Sequence, residues 1–338
     1  MDTTETYPKT LVEAIRYFTN PANALAFFMQ IRWPDGVVKC PHCGGANVQF
    51  LANYGRWECK NNHPRRQFTI KIGSVMEDSP LGLDKWATAV WLEANAKNSI
   101  SSYEIHRALG ITQKSAWFML HRIRFAIKNH SFEKIGGNGA VIEADETLVG
   151  GLAKNMHKAK REKKIAGTTG GAHMTPVMGL LERHSGKKHS TVRAKVIENR
   201  NTTTLHDVIH ANLAPGSTLY TDAYAGYRGL RDSFFHDFVD HTEAYVKGAV
   251  HTNGIENFWA LFKRCIKGTH VSVEPFHLLA YVDSEAFRFN NREVKDGDRF
   301  VLAMKGLHGK RLTYKALIGA LEGAPESGKN VAKENQPN

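Results

Sequence analysis

Two kinds of chemistry follow from residue type and spacing in this chain. The first is chelation by sulfur and nitrogen. Cys40 and Cys43 stand in CPHCGG with two residues between them, and Cys59 follows in WECKNNHPRRQF with His63 four positions on. Two pairs of soft ligands at close spacing, separated by about fifteen residues, suit tetrahedral zinc. Cys40, Cys43, Cys59 and His63 are the expected ligands, with His42, inside the first knuckle, as the alternative fourth. The stretch 36–70 is short and rich in turn residues. It could hardly bury a core by itself, so the metal is expected to supply its folding energy.

The second is metal-assisted phosphodiester chemistry. Asp145 closes the run VIEAD and Asp222 closes the run TLYTD, each a β-type run followed by turn residues. In HTNGIENFWALFKR and the two residues after it, Ile255, Phe258, Trp259, Phe262 and Ile266 recur at helical spacing and make one apolar face. Asn253, Glu256, Ala260, Lys263 and Lys267 form the neighbouring stripe. Glu256 and Lys263 are then about 10 Å apart, at roughly 1.5 Å of rise per residue. Carboxylates at two strand ends and one on a later helix can converge on two divalent cations, which activate a water or a 3′-hydroxyl and stabilise the leaving oxygen. Mg²⁺ suits carboxylate oxygens and leaves positions open for phosphate; Mn²⁺ is the substitute. Alternation puts Glu143 on the same strand face as Asp145, where it could substitute or assist. Asp145 is preferred because it is nearer the expected strand end. Lys263 and Lys267 would lie along a phosphate track.

These groups need elements to hold them. A chain of 338 residues is long enough for two or three domains, and 42% hydrophobic residues are enough for real cores. The net charge of +12 points to a polyanion, nucleic acid first. Three clustered cysteines and a distant fourth, Cys265, do not make a disulfide framework and suggest a reducing compartment. The N-terminal MDTTETYPKT lacks the features of a signal peptide and no apolar run is long enough to span a bilayer, so a cytoplasmic protein is expected.

Residues 9–31 read as helix broken at Asn20-Pro21, with Leu11, Ile15 and Phe18 on one stripe, and residues 83–97 read as another helix. In SISSYEIHRALGITQKSAWFMLHRIRFAI, Ser101 or Ser102 can cap a short helix that Gly110 ends, and Thr112 can cap a second. That is a helix-turn-helix closed by Ala108, Ile111, Ala116, Met119 and Ile123. Lys114, Arg122 and Arg124 on its second helix, with Arg65 and Arg66 beside the cysteines, are the expected DNA contacts. Three β-type runs, a helix, further strands and the helix carrying Glu256 then indicate a mixed α/β layer with strand ends free for a site. The basic run KNMHKAKREKKIAG, residues 154–167, reads as a charged loop or a DNA contact.

CPHCGG, QFTIKIGSVMEDSPLGLDKW, EADETLVGG, YTDAYAGY and HTNGIENFWALFKR occur in one order along the chain. Together they resemble insertion-sequence transposases of the zinc-ribbon, ISXO-like group, members of the DDE transposase superfamily. The resemblance runs from about residue 10 to 318. It implies an N-terminal helical segment at 1–35, a zinc ribbon at 36–72 and a helical, helix-turn-helix DNA-binding region at 80–130. An RNase H-like catalytic domain at 138–292, a C-terminal extension at 293–320 and a disordered tail at 321–338 complete the expected organisation.

Carried over by position, the three acids fall on Asp145, Asp222 and Glu256, and the following basic residue on Lys263. Some members have asparagine as the third ligand, and Asn253 and Asn257 stand nearby. His63 replaces a cysteine of the second knuckle. The resemblance implies two Mg²⁺ ions, a structural Zn²⁺ and double-stranded DNA as partner, both element ends and target. It implies nicking at terminal inverted repeats, attack by the freed 3′-hydroxyl on target DNA, and a dimer or higher oligomer on DNA, associated with the bacterial nucleoid. Helix 113–127 would enter the major groove, and Lys263 and Lys267 would hold phosphates. A DNA-binding regulator without catalysis, and a nuclease that cuts without joining, are the alternatives.

Overall fold

A computed structural model describes residues 7–128, 133–151, 156–165, 173–184, 189–239 and 250–320. The tail expected at 321–338 lies outside the described residues. The fold divides into two units, one built from residues 7–128 with 291–320 and the other from residues 133–290.

In the first unit, the early helical pattern forms α1 (Leu11–Thr19) and α2 (Pro21–Arg32). Asn20 caps α2 and Pro21 takes its first position, where no amide hydrogen is missed. Helix α1 buries Ala14 and Phe18, whereas Ile15, expected on the Phe18 stripe, is 45% exposed. The cysteine-bearing stretch forms an antiparallel sheet of β1 (Val48–Leu51), β2 (Arg56–Cys59) and β3 (Gln67–Phe68). Its small core is aromatic: buried Trp57 meets the rings of Phe50, Phe68 and Trp33.

Helix α3 (Leu83–Asn95) is buried along most of its length, through Trp86, Ala87, Ala89, Val90, Trp91 and Ala94. Helix α4 (Ser102–Leu109) opens on a capping box between Ser101 and Glu104 and ends at Gly110, which is left-handed (φ 59°). Thr112 then caps α5 (Gln113–Ile127), completing the expected helix-turn-helix. Its core differs at one place. Ala108 is exposed, and Ile105 instead joins Ile111, Ala116, Met119 and Ile123 as buried residues.

The second unit contains β4 (Ile135–Gly136), β5 (Val141–Val149), α6 (Lys158–Ile165), β6 (Thr175–Glu182) and β7 (Thr191–Val196). It continues with α7 (Thr202–Asn212), β8 (Leu213–Ala214), β9 (Thr218–Asp222), β10 (Phe235–Val239), α8 (Asn253–Arg264) and α9 (Leu278–Asn290). Two further helices, α10 (Asp296–Lys305) and α11 (Tyr314–Leu317), belong to the first unit. Strand β4 pairs with β8, so part of the stretch preceding residue 138 is built into the second unit. Helix α6 occupies part of the basic run at 154–167; residues 154–155 and 166–167 lie outside the described residues.

The central sheet has the order β10-β9-β5-β6-β7. The first two pairings are parallel and the last two antiparallel, which makes the mixed sheet with flanking helices of an RNase H-like domain. Alternation sorts its side chains between two cores. Ile142, Ala144, Met178, Leu180 and Leu219 pack with Leu205 and Ile209 of α7. Val177 and Leu181 pack with Ile255, Phe258, Trp259 and Phe262 of α8 and with Leu278 and Val282 of α9. Helix α8 sits so close that a Cβ at Gly179 would lie 2.7 Å from both Ile255 and Trp259.

Candidate active site and metal centre

Asp145 is not at a strand end. Strand β5 runs on to Val149 because its antiparallel partner β6 continues beside it, pairing Asp145 with Gly179. On the other side, parallel pairing with β9 is confined to Val141–Glu143 against Thr218–Tyr220. Continuing that register by two residues sets Asp145 level with Asp222, the last residue of β9. The paired ladder stops at Glu143 and Tyr220, so the two carboxylates share a register and lie just past the last paired residues. Their parity matches Glu143 and Tyr220, so both belong to the face covered by α8. Burial pushes the pKa of Asp145 up to about 7, helped by the charges of Glu146, Asp222 and Glu256. The third acid is thus near enough to be felt electrostatically, and it stands on the exposed side of α8.

Glu143, expected to substitute for or assist Asp145, is engaged elsewhere. It is 1% exposed and is spent on docking α8. The backbone N–H of Ile255 donates to its Oε2 at 2.8 Å, and Arg183 Nε donates to its Oε1 at 2.5 Å. Arg183 also donates from Nη2 to the His251 carbonyl at 2.7 Å. The carboxylate thereby satisfies a free amide in the first turn of α8, where the helix dipole also favours negative charge. A Cβ at Gly254 would come within 2.9 and 3.0 Å of the Glu143 oxygens, so the close approach requires glycine. This clamp fixes Glu256, one residue beyond Ile255, relative to Asp145, two residues beyond Glu143. Arg183 and His251 did not stand out in the sequence because their partners lie 40 and 108 positions away on β5.

Glu146 faces the opposite core. Tyr227 donates its hydroxyl to Glu146 Oε2 at 2.5 Å, and Arg200 Nη1 lies 3.9 Å from Oε1. Burial raises the pKa of Glu146 against the pull of that hydrogen bond, and burial holds Tyr227 well above the ordinary phenol value. Asp222 Oδ1 accepts the backbone N–H of Tyr224 at 3.1 Å, which orders the turn after β9.

The soft-ligand cluster assembles from one knuckle and one strand end. Cys40 Sγ is 3.6 Å from His63 Nε2, and Cys43 Sγ is 3.7 Å from Cys59 Sγ. All four ligand atoms lie within 4.8 Å of one another, the spread of a tetrahedral zinc shell. His63, not His42, completes the set: its Nδ1 sits 2.6 Å from the Pro64 carbonyl, which holds the proton there and turns Nε2 to the sulfurs. Cys43 is drawn down to about 7, chiefly by the Gly45 amide with help from Asn61, while burial raises Cys59. A Cys₃His cluster of this kind supports a structural zinc.

The expected DNA contacts are placed unequally. Lys114 is exposed on the first turn of α5, and Arg65 and Arg66 are exposed beside the zinc ligands. Lys263 and Lys267 are exposed on the Glu256 side of α8 and the turn after it. Arg124 is a correction. It is 1% exposed and grips Glu93 through Nε at 2.8 Å and Nη2 at 3.2 Å, so it ties α5 to α3. Arg122 is 7% exposed and donates to the Leu312 carbonyl at 3.1 Å. Beyond its first turns α5 is buried, so its whole length cannot lie in a groove. Basicity along a helix does not reveal which side faces the core.

Among the described residues, no helix is long and apolar enough to cross a membrane. Residues 20–61 match the family described as a transposase zinc-ribbon domain, and residues 136–290 match the ISXO2-like transposase domain. A protein in the transposable element ISH50 of Halobacterium salinarum is 27% identical over 295 residues, 82% of this chain and 96% of that protein. A transposase-like protein of Haemophilus influenzae is 34% identical over 102 residues, covering 30% of this chain and 81% of its own length. The ribbon match carries the Cys40 and Cys43 knuckle and Cys59, and the second match carries Asp145, Asp222 and Glu256. The chain belongs to the ISXO2-like transposases that carry an N-terminal zinc ribbon.

Proposed function

We propose that this transposase binds the terminal inverted repeats of its insertion sequence, cuts there with divalent cations, and joins the freed 3′-hydroxyl to target DNA. One observation carries the reading. Asp145 and Asp222 share one face, each two residues past the last parallel pair of β5 and β9, and Asp145 is pushed to about 7 by burial and by three other carboxylates. Carboxylates crowded around the buried Asp145 make a seat for hard cations. The donor set, all carboxylate oxygen, fits Mg²⁺ or Mn²⁺, held by Asp145, Asp222 and Glu256. Two such ions, when bound, would ready a water or 3′-hydroxyl and stabilise the departing oxygen.

The other residues orient and hold. The Glu143–Arg183–His251 clamp keeps Glu256 facing the strand acids. Tyr227 and Arg200 hold Glu146 on the far side of β5. Lys263 and Lys267 take phosphates along the exposed face of α8, while Lys114, Arg65 and Arg66 engage the element end. Two ends must meet for joining, which requires a dimer or higher oligomer on DNA, acting on the nucleoid in the cytoplasm.

The test is a strand-transfer assay with zinc-loaded protein, a labelled duplex from the DNA flanking its reading frame, a target plasmid and Mg²⁺. Joined product is expected from wild type and not from Asp145→Asn, Asp222→Asn or Glu256→Gln. Asn253→Ala and Asn257→Ala are expected to keep it. Full activity in either aspartate variant would overturn the site. Nicking without joining would make the enzyme a nuclease, and binding without cleavage a regulator.

A further inference from the structure

Helix α8 does not stop cleanly after Lys263 and Arg264. It widens into a π-helical turn, Cys265–His270, and breaks at Val271. Val271 has φ 62° and ψ −53°, a conformation that a β-branched side chain strongly disfavours. The Ser272 N–H donates to the His270 carbonyl at 2.6 Å, closing a tight γ-turn around it. Val271 is also 79% exposed, the most exposed large apolar side chain among the described residues. Nothing in the core needs it there. Phe276, also exposed, follows in the same loop. The turn has a firm base: Cys265 and Ile266 are buried, and the His270 ring packs on Tyr281 at 4.6 Å.

The surroundings are cationic. Lys263, Arg264 and Lys267 are exposed just before the turn, and from residue 263 to 277 Glu274 is the one acid in the sequence. Gly268 is exposed, has no left-handed φ, and an added Cβ would meet nothing within 4 Å. A glycine with no internal reason, inside a helical turn that it weakens, leaves the backbone open to close approach by a ligand. Strained, exposed apolar residues at the tip of a rigid basic element are the form of side chains that enter DNA base steps.

We infer that Val271 is a wedge that enters a base step of duplex DNA, with Lys263, Lys267 and the open backbone at Gly268 on the flanking phosphates. The inference rests on the proposed function, because the wedge is tied to the site through α8. Fifteen residues separate Glu256 from Val271. At helical rise the separation is roughly 20 Å, which is about six base steps at 3.4 Å each. The unstacked step therefore lies within about six base pairs of the nick, and the wedge sets which step is opened.

The experiment uses full-length, zinc-loaded protein and the flanking-DNA duplex, with 2-aminopurine placed at successive positions up to about six base pairs from the nick. Unstacking raises its fluorescence. Wild type in Ca²⁺ is expected to give a several-fold rise at one step within that distance. Val271→Gly, which relieves the backbone, is expected to bind the duplex as tightly and lose most of the rise; Val271→Asn, which removes the apolar side chain, should lose the rise as well. Equal fluorescence in wild type and Val271→Gly would overturn the wedge, as would bound wild type with no rise anywhere. If the same protein still nicks in Mg²⁺, only the wedge falls. If it neither binds nor nicks this duplex, the wedge and the proposed function fall together.

Discussion

The cysteine–histidine cluster and the acid cluster proposed for Mg²⁺ are built in opposite ways. The four soft ligands come from residues 40–63 and are brought within 4.8 Å by one turn and one short hairpin. The acids come from two strands and a helix across residues 145–256 and need the whole central sheet, with α8 docked on it, to meet. In the first, metal stabilises a stretch with little core. In the second, a core stabilises a cluster of carboxylates that repel one another. A local site can therefore be dismantled by removing its ion, whereas a distributed site should survive that loss and fail when its scaffold shifts.

The largest expected effect is on the ribbon. Structural zinc contributes on the order of 10 kcal/mol to such sites, so chelation should unfold residues 36–70 and weaken end binding. Limited proteolysis would read this directly, with Mg²⁺-dependent nicking of a non-specific duplex persisting. A protease-resistant ribbon after verified zinc loss would break the contrast.

Next come the buried ion pairs. Removing one member of such a pair costs about 3–5 kcal/mol. Glu143→Ala should lower the urea midpoint of the second unit and also reduce nicking, because α8 loses its anchor. Arg124→Ala should lower stability of the first unit by a similar amount and leave the salt dependence of DNA binding unchanged. A shallower salt dependence in Arg124→Ala would restore Arg124 as a phosphate contact.

The acid cluster should also show in the pH dependence of the metal-free protein. Asp145 has a folded pKa near 7, above its unfolded value. The stability tied to its protonated form is complete below about pH 4 and is lost as pH rises through about 7, at most ~4 kcal/mol. Melting temperature should fall across that window. Mg²⁺ or Asp145→Asn should flatten the fall. The same slope in Asp145→Asn would refute the assignment of the strain to this carboxylate. The smallest effect is expected from Lys114→Ala, which should reduce the salt slope of end binding by about 0.9 and leave stability unchanged.

Legibility followed the same division. The ribbon, the caps at Ser101 and Thr112, the glycine stop at Gly110 and the strand runs were all readable, because each depends on neighbours within a few positions. The end of β5 was misplaced because its extension past Asp145 depends on β6, some thirty residues later. Ala108 and Ile105 exchanged places because the helical stripe alone does not say which edge meets α5.

The sequence by itself determined which groups were available: the Cys₃His spacing, three acids in order on two strands and a helix, a basic chain, and an apolar face that commits α8 to a sheet. These are properties of bonded spacing and local dihedral preference. Tertiary structure alone decided which charges are free. It enclosed Arg124 with Glu93, spent Glu143 on the first turn of α8, turned Glu146 to Tyr227, and set Asp145 level with Asp222. The energy of a charge depends on its surroundings in three dimensions, on burial and on the nearest counter-charge, and neither is encoded at the position of the charged residue itself.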